Sequence, residues 1–214
     1  WFNKTIIKMG TLTYYNMCKL KFTGERMIPD SKLKTFGDLE HINRYAFACN
    51  FAKDKIVLDI ACGEGYGTNM LSTIAAKAFG IDISNEVIEN AKQKYIRNNL
   101  KFFQGTIEDI PIGNNTIDLT VSFETIEHHS KHKEMLAEIK RILKPEGILI
   151  ISTPNKIKYK LREPNNPYHV KELEYLEFES LLNQEFKYVK IFTQKNIMGS
   201  LIKEEDSHEI RLSE

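Results

Sequence analysis

Residues 57–68 read VLDIACGEGYGT. An apolar run ends in an acid, Asp59, and soon breaks into Gly63, Gly65 and Gly67. Residues 55–60 (KIVLDI) are short, apolar and β-branched, which predicts a strand covered on both faces. Thr68–Ala76 follows with Met70, Leu71 and Ile74 at helical spacing. A strand, a glycine turn and a helix in that order predict the first unit of an α/β sheet.

The rest of the chain repeats the alternation. Residues 38–52 space Leu39, Ile42, Ala46 and Cys49 as a helix, with Tyr45 between them. Strands are expected at 78–83, 100–104, 117–123, 148–152 and 186–193. Ser84 is placed to cap a helix running to about Asn98, with Val87, Ile88, Ala91 and Tyr95 on its buried stripe. Met135–Leu143 is a further helix, stopped by Lys144-Pro145-Glu146-Gly147. Residues 154–168 carry Pro154, Pro164 and Pro167 and read as a loop, and Leu173–Leu182 as the last helix. The pattern predicts a doubly wound, mostly parallel sheet with helices on both faces and right-handed crossovers. The segment 21–52 is expected to pack over one edge of it.

Composition fits one globular domain: 214 residues, 42% hydrophobic and 28% charged. A net charge of +1 creates no strong field for nucleic acid or an anionic membrane. Three cysteines, Cys18, Cys49 and Cys62, stand far apart with no CxxC, which favours a reducing, cytoplasmic setting over a disulfide framework or a zinc site. No apolar run approaches the roughly 20 residues of a membrane-spanning helix, and no signal peptide is read. The chain begins at Trp1, and residues 1–20 are read as an extension of uncertain role.

In such sheets ligands bind beyond the carboxyl ends of the strands. Glycines there let the backbone approach a ligand without a Cβ clash. The loop here runs GxGxG, not the GxGxxG of dinucleotide sites, since Thr68 stands at the last position. Asp59 beside the loop would repel a pyrophosphate and suit a cationic ligand. S-adenosylmethionine, with an ammonium, a sulfonium and no phosphate, meets that requirement. Asp82 ends the second strand, where a carboxylate accepts from ribose hydroxyls.

These stretches together resemble the class I S-adenosylmethionine-dependent methyltransferases from about Phe22 to Phe192. VLDIACGEGYG, GIDIS, FFQGTIEDIPIGNNTIDLTVSFETIEHH and EIKRILKPEGILIISTPN each resemble a segment of that family. The resemblance implies a Rossmann-like, seven-stranded type of sheet over 53–214, with 21–52 as a cap helix region. Residues 196–214 are short and charged for a full final strand, so the end is expected to be truncated or irregular. The resemblance also implies that Ala61, Cys62, Gly63 and Gly65 back the methionine portion. Asp59 would order the loop or face the ammonium. Asp82 would take the ribose, with Ile83, Thr106, Ile107 and Glu108 about the adenine. Ser122 and Phe123 would lie near the methyl-donor end. Many relatives carry Asp where this chain has Thr106, which shifts the adenine-amino role toward Glu108 or a backbone group. FTGERMIPD…HINRYAFA resembles bacterial methyltransferases associated with polysaccharide and glycosyl-transfer enzymes. In that group Arg44 and Tyr45 would close over the cofactor, with Arg44 meeting its carboxylate. A surface salt bridge is the alternative reading of Arg44. Glu25 and Arg26 would lie on the acceptor side.

ETIEHH, residues 124–129, follows the fourth strand. Three readings stand side by side. Glu124 and Glu127 can stabilise a helix start. His128 or His129 can serve as a general base, with Glu127 and His169 nearby in the acceptor pocket. Glu124, Glu127 and His128 can share one face of a helical turn and, with His169, hold a divalent metal; this reading is not the favoured one. The pattern is similar to ubiquinone-pathway O-methyltransferases and small-RNA 3′-terminal 2′-O-methyltransferases. The favoured function is methyl transfer to a small-molecule or sugar/glycan hydroxyl. Metal-assisted methylation of RNA ends or quinone precursors, and a non-catalytic cofactor-binding protein, are the rivals. Near-neutral charge counts against a nucleic-acid partner.

Overall fold

In a computed structural model, residues 36–160, 166–196 and 200–204 are described. In chain order the elements are α1 (Phe36–Ala52), β1 (Ile56–Ile60), α2 (Tyr66–Ser72), β2 (Lys77–Asp82), α3 (Asn85–Lys94), β3 (Leu100–Gln104) and β4 (Ile117–Phe123). A single 3-10 turn (Ile126–His128) leads to α4 (His132–Ile142), β5 (Leu143–Ser152), α5 (Lys156–Lys160), α6 (Tyr175–Glu185), β6 (Phe192–Asn196) and β7 (Ser200–Glu204).

Five strands form one parallel sheet in the order β3-β2-β1-β4-β5. The strand order turns back between β1 and β4, so the carboxyl ends of these two strands flank the ligand crevice of a doubly wound sheet. Side chains alternate along β1. Leu58 and Ile60 pack with Met135, Leu136, Ile139 and Ile142 of α4 and Leu182 of α6. Val57 faces the other way, with Leu119, Val121 and Phe123 of β4, beneath Tyr45, Ala48 and Ala52 of α1 and Leu71 of α2. α3 covers β2 and β3 on that same face through Ile88, Ala91, Ala78, Leu100 and Phe102. Burial on both faces explains the unbroken apolar runs of these strands.

The structure corrects several expectations. The described sheet has five strands, not seven; β6 and β7 pair antiparallel with each other in a separate two-stranded unit. That hairpin lies against α1, where the Phe47 and Phe192 rings meet at a tilt, 5.3 Å apart, and Arg44 Nε donates to Gln194 Oε1 at 2.8 Å. α1 lies over β1 and β4 at the middle of a face, not over an edge, because its stripe of Tyr45, Ala48 and Ala52 has its apolar partners there. α3 stops at Lys94, since Tyr95 is extended (φ −122°) and Ile96 is solvent-exposed. Lys144–Gly147 does not end α4 ahead of a fresh strand. β5 already begins at Leu143, opposite Ile117, and the turn forms an irregularity before Ile148 pairs with Leu119. α6 begins two residues later than expected, with Glu174 and Glu177 forming a reciprocal cap. Residues 186–191 precede β6 and are not a strand. Cys18, Glu25 and Arg26 lie outside the described residues. No helix among the described residues is long and apolar enough to cross a membrane.

The glycines of the first loop divide by role. A Cβ on Gly67 would stand 2.0 Å from the Tyr45 ring, and one on Gly65 2.7 Å from Phe102. A Cβ on Gly63 would meet no protein atom within 4 Å. Gly67→Ala is therefore expected to lower stability by about 1–3 kcal/mol through overpacking against Tyr45, read by urea unfolding. Gly63→Ala should cost only about 1–2 kcal/mol, the strain of a left-handed non-glycine residue.

Candidate functional site at the carboxyl edge of the sheet

β1 and β4 are in register with Ile60 opposite Ser122. The glycine loop and the ETIEHH turn therefore leave the sheet at the same level. Ala61 turns into the left-handed region (φ 54°) as β1 ends. Cys62 N donates to Ile81 O at 2.8 Å and Gly65 N to Cys62 O at 3.0 Å, which folds the loop back over β2. Asp82 completes the support: Oδ2 accepts from Gly63 N at 3.0 Å and Oδ1 from Ser84 N at 2.9 Å. Each of its oxygens keeps acceptor capacity beyond these bonds. Ser84 caps α3 as expected, its hydroxyl accepting from Val87 N.

Asp59 is fully buried. Thr68 Oγ1 donates to its Oδ2 at 2.7 Å, and Tyr45 OH lies 3.2 Å from both oxygens. Burial pushes this carboxyl up to about 7, against the lowering effect of the Thr68 and Tyr45 bonds and with the Asp82 charge adding to the rise. Burial likewise pushes up the Cys62 thiol, which packs beside Gly80 and Phe102 and is inert there. Tyr45 sits edge-on to Phe123 and Tyr66 inside the molecule. It supports Asp59 from beneath, which differs from the expected lid over the cofactor.

The remaining expected contacts are unevenly placed. Ile83 is exposed at the edge, an apolar surface fit for a ring, whereas Ile107 is half-buried against the core. Thr106 Oγ1 accepts from Asp109 N, and Glu108 reaches Lys131 at 2.9 Å and His129 at 3.4 Å. Lys131 holds the Glu108 carboxyl below its usual range. Ser122 and Phe123 have buried side chains, so only their backbone is near the edge. Arg44 is not at the surface. Its guanidinium lies between Gln194 and the carboxylate of Glu124, 3.5 Å away.

The expected quartet of Glu124, Glu127, His128 and His169 separates. Glu124 adopts φ 50° and lies outside the 3-10 turn, with Oε1 accepting from Ser152 Oγ at 2.6 Å. The helical face that ExxEH would need is thereby broken at its first member. Glu127, His128 and His169 do come together, their ligating atoms lying within 4.8 Å of one another. Two backbone hydrogen bonds to one carbonyl hold the segment, with Val170 N and Lys171 N donating to Glu127 O at 2.9 and 3.0 Å. Burial, then the charge of Glu124, pushes the Glu127 carboxyl up to about 8. His129 is turned away: its Nδ1 accepts from Lys131 N, so its Nε2 carries the proton that faces Glu108.

Sequence reading missed several members. Glu172 pairs with His169 at 2.7 Å, and the HxxE spacing was the available signal. Thr68 breaks the glycine pattern and opens the expected helix, but nothing in its context marks it as a donor to Asp59. His41 Nδ1 lies 3.1 Å from Tyr66 OH, and burial followed by the nearby Arg44 charge pushes it down to about 4. Nothing in its sequence context marks it.

Residues 58–151 match the family described as "Methyltransferase domain". The "Probable S-adenosylmethionine-dependent methyltransferase" of Mycolicibacterium smegmatis is 30% identical over 165 residues, covering 76% of this chain and 63% of the relative. A "Ubiquinone biosynthesis O-methyltransferase" of Haemophilus ducreyi is 33% identical over 109 residues, covering 48% of this chain and 46% of that one. Among solved structures, a "SAM-dependent methyltransferase, possible histamine N-methyltransferase" of Thermotoga maritima superposes with a TM-score of 0.66 at 18% identity, over 80% of this chain and 86% of the other. That likeness concerns the fold. Residues 58–151 thus carry a methyltransferase domain, and the chain is similar to S-adenosylmethionine-dependent methyltransferases. It spans less than two thirds of the length of these curated relatives.

The site's residues fit that family's cofactor. Gly63 offers open space, Ile83 an exposed apolar surface, and Asp82 spare acceptor capacity for hydroxyl donors. The Asp59 proton supplies a test. A raised folded-state value means that its contribution to stability is full below 3.8 and is lost as pH rises through about 7. In urea unfolding across that window, the stability of wild type relative to Asp59→Asn should fall with rising pH. A difference independent of pH would refute the raised value.

Proposed function

We propose that this chain transfers the sulfonium methyl of S-adenosylmethionine to a hydroxyl oxygen on a sugar or other small hydroxylated molecule, glycan-linked acceptors included, in the cytoplasm. When bound, the cofactor supplies an electrophilic methyl group: the acceptor oxygen forms the new O–C bond, and the S–C electron pair stays on sulfur as a neutral thioether leaves. The chain's own part is positioning in a site that excludes water. Asp82 accepts from the ribose hydroxyls while holding Gly63 and Ser84. Ile83 and Ile107 flank the adenine, with Thr106 and Glu108 at its rim. Ala61, Cys62, Gly63 and Gly65 present backbone to the methionine portion, and the backbone at Ser122 and Phe123 backs the donor end. Arg44 meets the cofactor's carboxylate by exchanging its pairing with Glu124. Asp59 and Tyr45 hold the loop in place from below.

One observation carries the reading. The register of Ile60 with Ser122 sets the open backbone at Gly63 and the cluster of Glu127, His128 and His169 at one level of one edge. A hydroxyl must lose its proton as it is methylated, and that cluster is where we place the proton's removal. The accepting atom named for the Haemophilus ducreyi relative is also oxygen, which supports a quinone precursor as the second reading. Residues 21–52 act here as a cap and 53–214 as the methyltransferase domain.

Calorimetric titration with S-adenosylmethionine, its demethylated product and NAD tests the cofactor. The first two are expected to bind and NAD is not. Asp82→Ala should weaken binding at least tenfold, the order expected for losing a charge-assisted hydrogen bond. Labelled methyl transfer to a panel of simple sugars and a catechol then separates the two acceptor readings. Binding of NAD without the sulfonium compound would overturn the proposal.

A further inference from the structure

The Arg44 side chain is 13% exposed, and among the described residues its one side-chain hydrogen bond runs from Nε to Gln194 Oε1 at 2.8 Å. Gln194 stands on β6, 150 residues further along the chain, and its Nε2 donates to Glu40 O of α1 at 3.0 Å. A guanidinium only donates and a carbonyl only accepts, so a single orientation of the amide satisfies both partners. Gln194 lies opposite Ile202 in the middle of the β6–β7 ladder, and Phe192 meets Phe47 of α1, so the amide is carried on a docked element. The far side of the guanidinium is different. Nη1 is buried and has no hydrogen-bond partner. Glu124 Oε1 lies 3.5 Å from it but is already engaged with Ser152 Oγ at 2.6 Å, and Glu40 Oε2 lies 3.8 Å from Nη2. These are ion pairs without hydrogen bonds. His41 beside it is kept neutral, pushed down to about 4 by burial and then by the Arg44 charge, so the guanidinium is the cation here. A buried donor without an acceptor is costly, and its retention calls for an explanation.

We infer that Gln194 is a positioning residue for the cofactor's carboxylate: from the β6–β7 hairpin it occupies Arg44 Nε and leaves the two terminal nitrogens as the fork that receives the carboxylate end-on. The inference rests on the reading that Arg44 meets that carboxylate. An arginine holds a carboxylate by two parallel bonds, either from Nε and one Nη or from both Nη. With Nε engaged by Gln194, only the second mode is open. The incoming carboxylate then replaces the long pairings with Glu124 and Glu40 by charge-assisted hydrogen bonds, and the buried Nη1 gains its acceptor. Without Gln194 the guanidinium could turn Nε toward either acid, and the fork would lose its aim. The two-stranded unit that stands apart from the main sheet is thereby part of the cofactor site. A ligand with the same adenosine portion but no carboxylate gains nothing from this arrangement.

The full chain is titrated calorimetrically with S-adenosylhomocysteine and with 5′-methylthioadenosine, which keeps the adenosine and the thioether but has no carboxylate. The readout is the ratio of the two affinities. Gln194→Leu, which removes both amide bonds at similar size, should lower that ratio about tenfold by weakening the first compound alone. Arg44→Met should lower it about tenfold to a hundredfold. The double variant should match Arg44→Met, because Gln194 acts only through the guanidinium. Gln194→Glu keeps an acceptor for Nε but sets a competing negative charge beside the fork, and should also lower the ratio. It serves where thermal melting shows that Gln194→Leu is not folded. A hairpin that merely braces α1 would change both affinities alike; a wild-type ratio in the folded Gln194 variant overturns the inference. If the ratio falls with Arg44→Met alone, the Arg44 reading stands and the role of Gln194 is refuted. A ratio untouched by Arg44→Met removes both, and binding of neither compound to wild type removes the cofactor reading with them.

Discussion

A single buried carboxylate ties the architecture together. Asp59 stands on β1 and takes hydrogen bonds from Tyr45 of α1 and Thr68 of α2. Strand and both helices are thereby fixed to one another at the level where β1 ends. Hydrophobic packing alone would hold α1 and α2 over Val57 and Leu119, but it is non-directional and tolerates sliding. A buried carboxylate that loses its donors is costly, so the hydrogen bonds specify one position. Gly67 serves the same node, because the Tyr45 ring fills the space where another residue would place its Cβ.

Asp82 performs a complementary task one strand away. It holds Gly63 N and Ser84 N with different oxygens, joining the glycine loop to the start of α3. Loop conformation and helix entry are then one event, and any ligand that reaches Asp82 also finds the Gly63 backbone already placed.

Much of this was legible in the sequence because it rests on local pattern. The β1, β2 and β4 strands were marked by apolar runs buried on both faces, and Ser84 by its capping chemistry. What escaped reading depends on contacts between distant segments. Nothing in HINRYAFA says that Tyr45 ends under Asp59. Nothing in the tail says that Gln194 bonds Arg44 and turns β6 and β7 toward α1 instead of the sheet edge. The ExxEH pattern allows Glu124, Glu127 and His128 on a shared face with His169 beside them; the left-handed turn at Glu124 sends that carboxylate toward Ser152 and leaves the other three together. The glycines were assigned to one purpose by their spacing, whereas space around them divides them between packing and an open surface.

Two of the four described non-glycine residues with positive φ fall where this division matters. Ala61 and Glu124 both take positive φ, at 54° and 50°, immediately after β1 and β4. Each costs about 1–2 kcal/mol relative to an ordinary conformation. Neighbouring bonds offset the strain: Cys62 N to Ile81 O after Ala61, and Glu124 N to Ser152 O at Glu124 itself. Without those sharp turns both strands would continue outward and the loops would diverge from the crevice. Bent at the same level, they face each other across the point where strand order reverses. Strain at these two residues, held by the sheet beneath, converts a parallel β-sheet into a concave edge where two reacting groups can meet.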